Sequence, residues 1–295
     1  MEVDLWIRSR GCSNTARAYR AALIDLQRAC GKTRPEQISR ADVVTWVQAM
    51  RERGLAPATI QQRLAGVSSL YRFLATDLDM AVANPTVISS NLRPRVTRYG
   101  KAFSLGAEEA AALLAVIDRE TVIGARDYAL YLGYLMTGRR NSEWRTLQWG
   151  AIDPTEERIY YRWSGKGHVD QRQELPRVVW AAIETALRLQ GRWGRMQSGD
   201  ALFTPIGGRE PLSMREVQKR LKFYARLAGL DPRLRVHTLR HTAATLRRSD
   251  GADVEEIQQF LTHSSLAITQ VYLHTTEIAR DTRQSAVAMM LGAFR

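Results

Sequence analysis

The chain has 295 residues, with 43 Lys and Arg against 30 Asp and Glu, giving a net charge of +13 and a pI near 10.2. That excess favours a polyanionic partner, most simply nucleic acid, because a one-signed field attracts a phosphate backbone. Only Cys12 and Cys30 are present, the start at Met1-Glu2-Val3-Asp4 is acidic where a secretory signal is basic, and no long uncharged apolar run occurs; a disulfide framework, a signal peptide and a membrane span are therefore not expected, and the cytoplasm is the expected compartment.

The length suits two domains. Residues 1–88 read as a small helical domain. Ser13-Asn14 is placed to cap a helix from Thr15 to about Cys30, with Tyr19, Leu23 and Leu26 as its apolar stripe. Ser39 and Asp42 open a second helix carrying Val43, Val44, Trp46 and Val47, which stops at Gly54. Pro57 suits the first turn of a third helix, which runs to Leu74 with Val67, Leu70, Tyr71, Phe73 and Leu74 on its apolar face. Thr59, Gln62 and Arg63 make up its polar side, and Asn84-Pro85 closes the domain. Taken alone, such a bundle is equally suited to packing or dimerisation.

Residues 89–103 read as an interdomain linker. From Asn91 to Lys101 there are four basic residues, Arg93, Arg95, Arg98 and Lys101, and no acidic one, while Pro94 and Gly100 discourage helix. Charge of this kind suits phosphate contact.

Residues 104–295 form the second domain. Ser104 is placed to cap a helix with Glu108 and Glu109 in its opening turns. A heavily apolar helix follows from Ala125 to Met136 and ends in Thr137-Gly138-Arg139-Arg140-Asn141-Ser142-Glu143. Arg158 to Trp163 and His168 to Leu175 alternate as strands, and Ser164-Gly165-Lys166-Gly167 joins them as a hairpin. Helices over Pro176–Gln190 and Ser213–Leu227 look like scaffold, the second with Arg215, Lys219, Arg220 and Lys222. Thr238 to Arg248 reads as a helix with His237 at or just before its start; His237, Arg240 and His241 stand three and four residues apart and share a face. Asp253 and Glu256 have capping-box spacing for a short helix that carries Ile257, Phe260 and Leu261 inward and ends at Thr262-His263-Ser264-Ser265. Tyr272 lies nine residues after His263, and Glu277 to Phe294 is helix-compatible. The expected fold is mainly α with a small β-hairpin or sheet in the C-terminal domain.

Arg and His side chains can neutralise and protonate a phosphodiester, and a Tyr phenol can attack it. The set has no His-Glu-x-x-His, no Cys pair near a His and no carboxylate cluster, so the chemistry indicated is phosphoryl transfer without a metal or cofactor.

Three boxes carry a resemblance to a known family: Thr137-Gly138-x-Arg140-x-Ser142-Glu143, then His237-Thr238-Leu239-Arg240-His241, then Leu261-Thr262-His263-Ser264-Ser265 with Tyr272 nine residues on. The chain resembles the tyrosine recombinases, or phage integrases, in their compact, Xer-like two-domain form. Thr262 stands where the family usually has Gly, and Arg139 fills the variable position. The resemblance implies a clamp on duplex DNA, made by a helical core-binding domain with a SAM-like fold and a catalytic domain. It assigns Arg140, Lys166, His237, Arg240 and His263 to catalysis, Tyr272 as nucleophile, and Glu143 to orienting the site. It makes Thr59, Gln62, Arg63, Arg93, Arg95, Arg98 and Lys101 candidate DNA contacts. It also implies a 3′-phosphotyrosyl intermediate and strand exchange through a Holliday junction in a homotetramer on DNA, assembled from free monomers or dimers. The C-terminal helix would dock on a neighbouring subunit. The rival readings are a type IB topoisomerase-like enzyme and an inactive DNA-binding regulator. Chromosome resolution and a mobile genetic element both fit the sequence.

Overall fold

The structure, a computed structural model, describes residues 2–9, 13–95, 103–155, 157–164, 170–262 and 283–293. It divides into two compact units, residues 1–100 and 101–295. Among its described residues the first holds four α-helices: α1 (Glu2–Ser9), α2 (Ser13–Cys30), α3 (Arg40–Glu52) and α4 (Pro57–Asp77). Local signals explain the ends of the last two. The Ser39 side chain accepts from the Asp42 amide while the Asp42 carboxylate accepts from Ser39 N, a reciprocal cap on α3. Pro57 sits in the first turn of α4, where its missing N–H costs nothing. Leu23, Leu26, Val43, Trp46, Ile60, Val67, Leu70 and Leu74 interlock as the core.

Helix α1 had no clear sequence signal. It exists through long-range packing: Trp6 is fully buried, stacks on Tyr19 at 5.8 Å and donates from Nε1 to Ser69 Oγ at 3.4 Å. Asp25 ties three helices together, accepting from Trp46 Nε1 at 2.8 Å, from Arg53 through two bonds of 2.9 Å and from Arg63 at 2.5 Å. These donors, Arg53 foremost, hold its carboxyl at about 2. The segment read as the start of the linker is bonded to this unit. Arg51 donates to Leu92 O, Gln61 to Pro94 O and Arg93 to Thr86 O.

The second unit holds α5 (Ala107–Ala115), α6 (Val122–Thr137), α7 (Asn141–Arg145), strands β1 (Ile152–Pro154), β2 (Ile159–Ser164) and β3 (Asp170–Glu174), then α8 (Arg177–Leu189), α9 (Met214–Leu227), α10 (Val236–Ser249), α11 (Val254–Leu261) and α12 (Gln284–Met290). Helix α6 is the axle: every residue from Gly124 to Thr137 is buried, and α8 and α10 pack along it. Its N-terminal half carries a buried ion network. Asp127, with no exposed surface, accepts from Arg126 at 2.7 Å, from Arg220 and from Tyr224 Oη at 2.8 Å, locking α6 to α9.

The sheet is antiparallel in the order β1-β2-β3, with Tyr161 opposite Ile152 on one side and Gln173 on the other. Ile159, Tyr161 and Trp163 alternate inward along β2, the period of two that the sequence displays. Strand β1, three residues long, was not anticipated.

Helix α5 begins two residues later than Ser104 capping would require. Gly106 is its N-cap, with Gly106 N donating to the Glu109 carboxylate at 2.8 Å. The cause is tertiary: Leu105 is buried, and its amide donates to Thr242 Oγ1 at 3.0 Å, holding this stretch extended against α10. Helix α12 lies on its own unit, with Val287, Ala288 and Leu291 buried in the same core as α5 and α6. In this single chain the C-terminal helix, expected to dock on a neighbouring subunit, packs on its own unit. Among the described residues no helix is long and apolar enough to cross a membrane.

Candidate active site

Three helix ends build the site: the C-terminus of α6, the N-terminus of α10 and the C-terminus of α11. Helix α6 stops at Gly138, whose φ of +61° is the left-handed conformation glycine adopts freely. The chain then turns into α7 with Arg140 as N-cap residue. Glu143, one turn on, accepts from Arg140 N at 2.9 Å and from the Arg140 guanidinium at 2.7 Å. Glu143 therefore sets both the backbone and the side chain of Arg140, which remains about 38% exposed and able to reach a ligand.

Helix α10 supplies Arg240 and the two histidines. Arg240 is 3% exposed and donates to Gly138 O at 2.5 Å and Leu261 O at 2.9 Å, so one guanidinium bridges the ends of α6 and α11. The start of α10 at Val236 puts His237 inside the first turn. His237 and His241 pack edge to face at 4.7 Å. Burial pushes both imidazoles below the usual histidine value; for His237 the neighbouring His241, Arg240 and Arg140 add to the shift, and for His241 Arg240 does. Arg240 is pushed down to about 9, by burial first and then by the charges of Arg139 and Arg140. Arg140 and Arg240 thus both act electrostatically on His237, and Arg140 on Arg240.

Two further arginines complete the cluster. Arg139 is 1% exposed, donates from Nε to Thr137 O at 3.1 Å, from Nη1 to Thr262 Oγ1 at 2.9 Å and from Nη2 to Phe260 O, and stacks on Trp163 at 4.2 Å. Arg247, one helical repeat beyond Arg240 on α10, is 2% exposed, donates to Met136 O at 2.6 Å and lies 3.5 Å over the Phe260 ring. Sequence reasoning passed over Arg247. The signal was its position seven residues after Arg240, on the inward face of α10. Both guanidiniums face backbone carbonyls at helix C-termini, the negative ends of the helix dipoles.

Helix α11 is capped by Asp253, which accepts from Glu255 N and Glu256 N, while Asp253 N donates to Glu256. It ends at Thr262 with φ +49° and ψ +53°. Lys166, His263, Tyr272, Arg98 and Lys101 lie outside the described residues. In the first unit Gln62 and Arg95 are exposed and Thr59 is half-buried. Arg63 is committed to Asp25, and Arg93, though exposed, donates to Thr86 O at 2.9 Å. On α9, Arg215, Lys219, Lys222 and Arg226 form an exposed basic stripe at helical spacing, whereas Arg220 turns inward to Asp127. Among the described residues no group of three His, Cys, Asp or Glu is placed to hold a metal ion.

Four guanidiniums, Arg139, Arg140, Arg240 and Arg247, gather at these helix ends; Glu143 pairs with Arg140, and backbone carbonyls take bonds that Arg139, Arg240 and Arg247 donate. Positive charge gathered in this way attracts an anion. A tetrahedral oxyanion with several acceptor oxygens suits the forked geometry.

Comparison with known proteins agrees with this geometry. Residues 104–278 match the model of the Phage integrase family, and residues 3–77 match its N-terminal SAM-like domain. The chain is 32% identical over 249 residues to tyrosine recombinase XerC of Pelotomaculum thermopropionicum, covering 82% of this chain and 78% of the relative. It is 30% identical over 241 residues to tyrosine recombinase XerD of Halalkalibacterium halodurans, covering 81% and 78%. Among solved structures it resembles the Tn1549 transposon integrase in complex with circular intermediate DNA, with a TM-score of 0.68, 19% identity and 98% of both chains covered.

Proposed function

The chain belongs to the phage integrase family, and from that premise we propose that it is Tyr272 that attacks a scissile phosphate in duplex DNA. The protein is a tyrosine site-specific recombinase. The phenol oxygen bonds to phosphorus, the bond to the 5′ oxygen breaks, and a 3′-phosphotyrosyl linkage and a free 5′-hydroxyl result. Arg140 and Arg240 hold the non-bridging oxygens, and His263 adds a hydrogen bond to them. Lys166 protonates the leaving 5′ oxygen, and His237, kept neutral by its surroundings, takes up the phenol proton. A phenol with a reference pKa near ~10 needs such a cationic pocket to react at neutral pH. The bond energy stays in the phosphotyrosine, so the reverse step rejoins DNA without an energy source.

The observation that supports this reading is the gathering of Arg139, Arg140, Arg240 and Arg247 at the ends of α6, α10 and α11, with His237 beside them. Thr59, Gln62, Arg63, Arg93, Arg95, Arg98 and Lys101 are the proposed contacts to the duplex, with Gln62, Arg93 and Arg95 the exposed ones among those described. Strand exchange in a four-subunit synapse follows as the assembly that brings two cleaved sites together. There α12 would exchange its seat on α5 and α6 for the same seat on a neighbour.

The test is a nicked suicide duplex taken from DNA flanking the gene. Wild type is expected to give a covalent band on a denaturing gel, and Tyr272→Phe to bind DNA without forming one. A band from Tyr272→Phe would remove Tyr272 from the nucleophile role.

A further inference from the structure

Thr262 stands where the family pattern usually has glycine, and Arg139 fills the variable position of the first box. In the folded chain they touch. Arg139 Nη1 donates to Thr262 Oγ1 at 2.9 Å, and Thr262 Oγ1 donates onward to Leu261 O at 2.8 Å. Leu261 O also accepts from Arg240 at 2.9 Å, and Arg240 donates to Gly138 O, the carbonyl joined directly to Arg139. The result is a closed ring: Arg139, Thr262, Leu261, Arg240, Gly138 and back to Arg139. It joins the end of α6 to the end of α11 with Arg240 as a member.

Each residue needs the other. Thr262 has φ +49°, a conformation unfavourable for a β-branched side chain, and persists only where its surroundings hold it. Its hydroxyl, fixed from both sides, supplies that hold. Arg139 is 1% exposed, with no carboxylate among its hydrogen-bond partners; a glycine at 262 would orphan one of its donors inside the protein. The guanidinium is also clamped against Trp163 of β2, so the brace is anchored to the sheet.

We propose that Arg139 and Thr262 form one positioning unit, which fixes Arg240 and the point at which the chain leaves α11 toward His263. It replaces a flexible glycine turn by a buried polar lock. Neither residue meets the substrate; both act through Arg240 and the turn. The proposal rests on the catalytic reading of Arg240, and its test separates the two.

Six chains are compared: wild type, Thr262→Ser, Thr262→Val, Thr262→Gly, Arg139→Leu and the double variant Arg139→Leu/Thr262→Gly. Single-turnover adduct formation on the nicked duplex is measured beside the DNA dissociation constant. Thr262→Ser keeps the hydroxyl and is expected within about threefold of wild type. Thr262→Val keeps the shape and loses the hydroxyl; it and Arg139→Leu are expected to cleave at least roughly tenfold more slowly with unchanged DNA binding. The double variant restores glycine to the turn and removes the stranded arginine, and is expected to cleave faster than Arg139→Leu alone. Thr262→Val cleaving like wild type, or the double variant falling to the product of the single effects, would overturn the proposal. If wild type itself forms no adduct, the catalytic reading fails; the pair is then judged by urea midpoints of the same set, where strict additivity of the two sites overturns it.

Discussion

His237 and His241 stand one turn apart on α10, and their surroundings keep both imidazoles less basic than a free histidine. The sign of the consequence is fixed. Each group's pKa is depressed in the folded chain, so the unfolded chain takes up the proton first as pH falls. Stability is therefore full above the ordinary value of 6.5 and is lost as pH drops below it. For chemistry the same shift keeps His237 a neutral acceptor in mildly acidic solution. The acid limb of single-turnover cleavage is expected below pH 6.5, and His237→Gln is expected to flatten that limb while lowering the plateau by roughly 10²-fold. An unchanged limb in His237→Gln would assign the titration to another group. The pairing of Arg140 with Glu143 was legible because the box places a carboxylate three residues after the arginine, and the structure pairs them at 2.7 Å. Burial of Arg139 and Arg247 was not legible. A guanidinium reads as surface until the carbonyls that satisfy it, Phe260 O for one and Met136 O for the other, arrive from more than a hundred residues away in the chain.

Helix ends were the most readable elements. Ser39 with Asp42, Pro57, Ser213 and Asp253 with Glu256 are local devices, and each opens the helix it announces. The failures are long-range. Helix α1 depends on Trp6 meeting Tyr19, β1 depends on β2, and residues 89–95 join the first unit through Arg51 and Gln61. The junction of α6 with α11 gives a prediction at this scale. A Cβ on Gly138 would lie 2.6 Å from Phe260 Cε1, at a φ of +61° that alanine disfavours. Gly138→Ala is expected to cost about 2–4 kcal/mol. The thermal midpoint of the second unit should fall by roughly 5 °C or more. A shift below about 1 °C would mean that α11 moves aside without loss.

Across the molecule, 43 basic residues against 30 acidic ones make DNA binding an ion-exchange reaction. The dissociation constant is expected to weaken by roughly 10³-fold or more between 50 and 200 mM salt. The arginine cluster at the helix ends adds a second, shorter-ranged response. Sulfate, matched to chloride in ionic strength, should stabilise the protein by about 1.4 kcal/mol at tenfold its dissociation constant. Arg140→Gln should lose most of that gain. Equal stabilisation of both proteins would place the anion elsewhere, with the α9 stripe of Arg215, Lys219, Lys222 and Arg226 the next site to vary.

Trp163 gives the catalytic unit an optical handle. The Arg139 guanidinium lies over its indole, 4.2 Å from the ring centre, and the residue is 7% exposed. A cation fixed on one face of an indole biases its excited-state dipole, so this chromophore emits at an energy set by whether Arg139 keeps its place. The difference spectrum between wild type and Trp163→Phe isolates that emission from the other six tryptophans. Whether the α6–α11 junction keeps its bonds can then be followed on purified, unlabelled protein during assembly on DNA, where no covalent product has yet formed.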